Sequence, residues 1–179
     1  LDYTVNEILV SNGAKQSVCN TVMALVNDGE EVIIPTPYWV SYPQMVLLAE
    51  GTPVYVECGI EQDFKMTPEQ LEQAITPKTR ALILNSPNNP CGAVYSREDI
   101  AAVAAMLKEA SVRIGRRIFL IADEPYRFLA YDGIEVPSVL PYYEDAVVIS
   151  SFAKNYGMAG ERVGYIGVNP AMEDADLLM

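Results

Sequence analysis

Ile118-Phe119-Leu120-Ile121-Ala122-Asp123-Glu124-Pro125-Tyr126 is the stretch that decides the fold. Five apolar residues in a row are too few for a helix, and they lack the alternation of a strand with one wet face. They predict a short central strand buried on both sides. Outward from it the chain alternates between runs of this kind and helical patterns. Upstream, Ser96 is placed to cap a helix with Ile100, Val103, Ala104 and Leu107 on one face, and 80–85 is another buried strand. Further back, Thr67-Pro68-Glu69-Gln70 reads as a helix start, with Thr67 and Gln70 as a capping box and Pro68 at the first helical position. Strands are expected at 53–58, 31–34 and 8–10, with helices at 42–49 and 15–26. Downstream, strands are expected at 146–149 and 163–168. Strands separated by helices give an α/β fold, a mostly parallel sheet covered on both faces.

Composition narrows the chemistry. Half of the 179 residues are hydrophobic, and no apolar run is long enough to span a bilayer. The net charge of -12 argues against a nucleic-acid surface, which needs clustered Lys and Arg. There is no histidine, which removes His-based triads and most catalytic metal sites. Cys19, Cys58 and Cys91 are too scattered for a disulfide framework or a zinc site, and a reduced, cytoplasmic setting is the simplest reading. No Gly-x-Gly-x-x-Gly or Walker loop supports a nucleotide-binding domain. The first residue is Leu1 rather than Met, and 174–179 reads as the first turns of a helix. A piece of a longer protein is therefore expected.

Ligands of parallel sheets bind at the carboxyl ends of the strands. The polar segments there are 11–15, 35–39, 85–92, 123–126 and 150–162. In Ser150-Ser151-Phe152-Ala153-Lys154, a lysine directly after a buried strand is poorly placed for solvent. It is either a loop lysine snorkelling outward or an amine of lowered pKa that forms an imine with an aldehyde. Eight residues on, Arg162 sits in Gly160-Glu161-Arg162-Val163-Gly164, where it can approach a phosphate closely. Asp123, at the end of a central strand, is costly to bury without a cationic partner. The turn at Gly13 opens a helix, and helix-start amides bind anions. Trp39, taken alone, reads as a core residue, and 85–92 as a loop of turn formers.

The segment 151–164, Ser-Phe-Ala-Lys-Asn-Tyr-Gly-Met-Ala-Gly-Glu-Arg-Val-Gly, resembles the cofactor-lysine segment of class I/II aminotransferases, the pyridoxal-phosphate enzymes of fold type I that include aspartate and aromatic aminotransferases. The resemblance extends over nearly the whole chain. It implies a three-layer αβα large domain with a seven-stranded sheet carrying one antiparallel strand. It also implies pyridoxal 5'-phosphate as cofactor, with Lys154 as its Schiff-base residue and general base. Arg162 and Ser151 would contact the phosphate, with Gly13, Ala14 and Lys15. Asp123 would face the pyridine nitrogen, Tyr126 and Asn89 the phenolic oxygen, and Trp39 would stack on the ring. Ala153 stands where the family often has a serine, so that phosphate contact is missing, and Cys91 stands where threonine is frequent. The implied reaction moves an amino group between an amino acid and a 2-oxo acid, in a homodimer. The N-terminal arm and the C-terminal small domain of the family lie outside 1–179, so the fragment is not expected to turn over at a useful rate. Two alternatives share these residues: a carbon–sulfur lyase or synthase of the same fold, and an aminotransferase-like domain of a cofactor-sensing regulator.

Overall fold

The computed structural model describes residues 3–178. Its main elements follow the expected order: β1 (Ile8–Asn12), α1 (Ala14–Leu25), β2 (Glu31–Pro35), α2 (Tyr42–Leu48), β3 (Thr52–Val56), α3 (Pro68–Ala74), β4 (Thr79–Asn85), α4 (Arg97–Ile114), β5 (Phe119–Asp123), β6 (Ala146–Ser151) and β7 (Val163–Val168). The helix anticipated at 174–179 is a short 3-10 turn at Ala175–Leu178, and Met179 lies outside the described residues. The strand expected to reach Cys58 stops at Val56. β3 is an edge strand whose only neighbour is β2, and the last β2 residue, Pro35, pairs with Val56.

All seven strands form one sheet in the order β1-β7-β6-β5-β4-β2-β3. β7 runs antiparallel to both of its neighbours, and the other pairings are parallel. Side chains alternate between faces along a strand, so each strand feeds two cores. Leu82 and Leu84 of β4, with Leu120 and Ala122 of β5, meet Leu71 of α3 and Ile100, Val103, Ala104 and Leu107 of α4. Ala81 and Ile83, Phe119 and Ile121, and Val147 and Ile149 of β6 point the other way. They meet Val18, Val22 and Leu25 of α1 and Tyr42, Met45 and Val46 of α2. The molecule is thus a three-layer αβα sandwich.

Helix ends follow the local chemistry. Thr67 and Gln70 form the anticipated capping box, with Pro68 at the first helical position. Ser96 Oγ accepts the Asp99 amide and the Asp99 carboxylate accepts the Ser96 amide. Gly115 closes α4 in the left-handed region that glycine tolerates best. Ser96→Ala is expected to lower stability by about 1 kcal/mol. In urea unfolding this appears as a lower midpoint with an unchanged slope.

Candidate active site

Alternation along three neighbouring strands places three polar side chains together. Asn85, Asp123 and Ser151 end β4, β5 and β6, and share parity with Ile83, Ile121 and Ile149. They therefore face the α1–α2 side, and Asn85 lies level with Asp123 in the register. With the start of α1, Trp39 and the segment 153–162, they wall a cavity of about 390 Å³. Small-molecule sites typically measure about 300–1,000 Å³. Ala14, Lys15, Trp39, Asn89, Asp123, Tyr126, Ser151, Lys154 and Arg162 all line it. Gly13 is the one residue of the expected set that does not, and it touches the site through Arg162.

Asp123 is fully enclosed. Tyr42 donates its hydroxyl to Asp123 Oδ2 at 2.6 Å, while Asp123 Oδ1 is buried without a partner. Burial pushes the carboxyl up to about 6, against the lowering effect of the Tyr42 hydrogen bond. Its neighbour Glu124 points to the opposite face and pairs with Arg127 at 2.8 Å. Burial also pushes Glu124 up, to about 7, against the opposing charge of Arg127. The sequence asks for a cation beside a buried strand-end carboxylate. Glu124 has one within the chain, whereas Asp123 has a hydroxyl and an oxygen to spare.

Asn85 fastens the floor. Its Nδ2 donates to the Asp123 carbonyl at 2.7 Å, and its Oδ1 accepts the Asn89 amide at 2.7 Å. The loop holding Asn89 is therefore tied to both strands. Trp39 meets Tyr42 edge-on at 5.4 Å, and Lys15 Nζ lies 5.0 Å from the Trp39 ring centre. Lys154 Nζ lies 5.5 Å from the Tyr126 ring centre. The expectation that Lys154 is poorly placed for solvent is corrected: its side chain is exposed. β6 ends at Ser151, and the turn that follows runs out along the open rim of the cavity.

The anion-binding end depends on two glycines. Gly13 caps α1 at φ 80°, and a Cβ there would collide with the Arg162 guanidinium. A Cβ on Gly164 of β7 would lie 2.5 Å from the Ala14 nitrogen. Only bare backbone lets β7, Arg162 and the first amides of α1 converge, and those amides have no partner within the helix. Arg162 itself adopts φ 55° and donates to the Ala159 carbonyl at 3.2 Å. Two site residues receive no individual role from the sequence, Tyr42 and Asn85, although Asn85 opens the polar segment 85–92. For Asn85 a signal exists, since it continues the alternation of Ala81 and Ile83 onto the site face. For Tyr42 only its position one helical turn beyond Trp39 hints at a role.

Fold and site define a three-layer α/β domain with a small-molecule cavity at the carboxyl ends of its strands. The chain belongs to the family of class I and II aminotransferases, which it matches over residues 1–177. It is 46% identical over 169 residues to a probable aspartate/prephenate aminotransferase of Rickettsia bellii, covering 92% of this chain and 41% of that protein. It is 45% identical over 171 residues to the aspartate/prephenate aminotransferase of Nitrosomonas europaea, covering 93% and 42%. The chain thus spans about two-fifths of the length of the curated relatives it matches. Among solved structures, an aminotransferase from Eubacterium rectale superposes with a TM-score of 0.96 at 38% identity, over 99% of this chain and 45% of that one. The aspartate aminotransferase of Thermus thermophilus, solved with maleate, gives 0.88 at 40% identity, over 99% and 45%. Members of this family use pyridoxal phosphate. The residues here fit that group: Asp123 Oδ1 is a buried acceptor awaiting a donor, and the Gly13–Arg162 contact leaves a cradle for an anion.

Proposed function

We propose that the protein is a pyridoxal-phosphate-dependent aminotransferase that moves an amino group between an amino acid and a 2-oxo acid, and that these 179 residues form its cofactor-binding large domain. The observation that carries this reading is the unpartnered Asp123 oxygen in a cavity that also holds Lys154 and Arg162. When bound, the cofactor supplies an aldehyde carbon that takes up amino groups and a ring that withdraws electrons from the substrate α-carbon. Lys154 would hold the aldehyde carbon through Nζ. Asp123 would accept from the ring nitrogen, Tyr126 and Asn89 would donate to the phenolic oxygen, and Trp39 would cover the ring. The α1 amides at Ala14 and Lys15, with Ser151 and Arg162, would hold the phosphate. Lys154 Nζ would also be the amine placed to take the proton from the substrate α-carbon as general base. Its exposure at the cavity rim suits an amine that must reach an incoming substrate.

The relatives' names support an acidic amino donor, and they favour transamination over the lyase, synthase and regulator alternatives. A homodimer is the assembly implied by the family resemblance. Among the described residues the three cysteines are free, which supports a reducing compartment. No helix of the described residues is long and apolar enough to cross a membrane. The test is amino transfer from aspartate to 2-oxoglutarate by the whole protein, read as oxaloacetate formed. Formation of oxaloacetate is expected. Release of ammonia or a sulfur product instead, or no turnover of any amino acid, would contradict the reading. The 179 residues by themselves are expected to bind cofactor but to turn over far more slowly.

A further inference from the structure

We infer that Tyr42 is a positioning residue for the cofactor, occupying one oxygen of Asp123 so that the other is presented to the ring nitrogen. This rests on the cofactor reading above. Tyr42 is the first residue of α2 and only 1% exposed, and its hydroxyl reaches a carboxylate 81 residues away. The contact does three things. It makes Asp123 Oδ2 an acceptor already in use, which leaves Oδ1 as the single free oxygen of a buried carboxylate. It fixes the plane of the carboxyl group, whose terminal torsion is otherwise broad. It also favours the ionised form, because a phenol that donates stabilises the charge.

The ionised form matters for the chemistry. A neutral Asp123 would offer a proton to the ring nitrogen rather than accept one, and the ring would carry less positive charge. Tyr42 therefore keeps Asp123 an acceptor. Its ring acts on a second wall of the same cavity. Trp39 stands edge-on to Tyr42 at 87°, an arrangement that aromatic quadrupoles favour, and Lys15 sits over Trp39. One residue thus braces both the base of the ring site and its aromatic cover.

Tyr42→Phe keeps the ring and removes only the hydroxyl. The test titrates the chain with pyridoxal phosphate and with the analogue that has carbon in place of the ring nitrogen. The variant should bind pyridoxal phosphate about tenfold more weakly, the loss of one hydrogen bond to a charged group. Its affinity for the analogue should be unchanged. With ¹⁵N-labelled cofactor, the ring-nitrogen resonance should move from the protonated toward the unprotonated position. As a second arm, Tyr42→Phe added to Asp123→Asn should cost nothing beyond Asp123→Asn alone. An equal loss for both ligands, no loss for either, or additive losses in the double variant would overturn the inference while leaving the cofactor reading intact. Failure of the unmodified chain to bind pyridoxal phosphate would remove both.

Discussion

Lys154→Ala in the whole protein is expected to abolish amino transfer, with kcat falling by on the order of 10⁴. The size follows from the two jobs proposed for one atom. Nζ holds the cofactor at its reacting carbon, and the same Nζ then moves the substrate proton. Among the described residues no other amine is placed to replace it. Lys15 lines the same cavity, but its ammonium lies over Trp39 rather than beside Tyr126. Lys154→Arg retains charge but offers a planar guanidinium that cannot be deprotonated, so it should be as inactive as alanine. Steady-state kinetics on the purified variants, with folding checked by circular dichroism, measures this. Residual activity within tenfold of the unmodified protein would show that another group carries the proton.

Asp123→Asn is expected to produce two large effects of opposite sign. In the cofactor-free chain, burial raises the folded carboxyl to about 6 from an ordinary value of 3.8. Above pH 6 the folded state carries a buried charge with one oxygen unpartnered, which destabilises it. Below pH 3.8 the group is protonated in folded and unfolded chains alike, and that cost is gone. Replacing Asp123 by a neutral amide should therefore stabilise the cofactor-free fold by about 3 kcal/mol at pH 8, with the gain fading between pH 6 and pH 4. Glu124 is pushed up by burial and, to a smaller extent, by the charge of Asp123, so neutralising Asp123 relieves that repulsion as well and adds to the gain in the same direction. With pyridoxal phosphate added the sign reverses. The ring N–H loses its anionic partner, and affinity should fall by on the order of 10²-fold. Chemical denaturation at pH 4.5 and pH 8, with and without cofactor, reads both effects. A destabilised cofactor-free variant at pH 8 would show that Asp123 has a structural task instead.

The strand-end carboxylate was legible because its surroundings are one-dimensional. An apolar run of strand length, stopped by Asp123 and Glu124, already gives a buried strand with charge at its end. The same logic places Ser151 at the end of β6 and the Gly13 turn after β1, since the alternation of strands and helices fixes which ends meet. Which carboxylate faces the cavity was a question of parity. Asp123 follows Phe119 and Ile121 onto the α1–α2 face, and Glu124 follows Leu120 and Ala122 to the other. Tyr42 was not legible, because a tyrosine opening an apolar helix looks like any core aromatic. Its meaning comes from a contact between α2 and the sheet face it covers, set by how α2 packs. The exposure of Lys154 was misread for a related reason. A buried strand says nothing about where the next turn leads, and here it leads to an open rim. In the sequence Gly164 is a flank of Arg162, and in the fold its missing Cβ is what admits the Ala14 amide.

The central claim is that the cofactor attaches to Lys154, and the chain has only five lysines, Lys15, Lys65, Lys78, Lys108 and Lys154, among which to discriminate. Incubation with stoichiometric pyridoxal phosphate, reduction with borohydride to fix the carbon–nitrogen linkage, and peptide mapping by mass spectrometry locate the attachment directly. The account predicts a single modified peptide carrying the label on Lys154. Label on Lys15, its neighbour in the cavity, or spread over the surface lysines would contradict it.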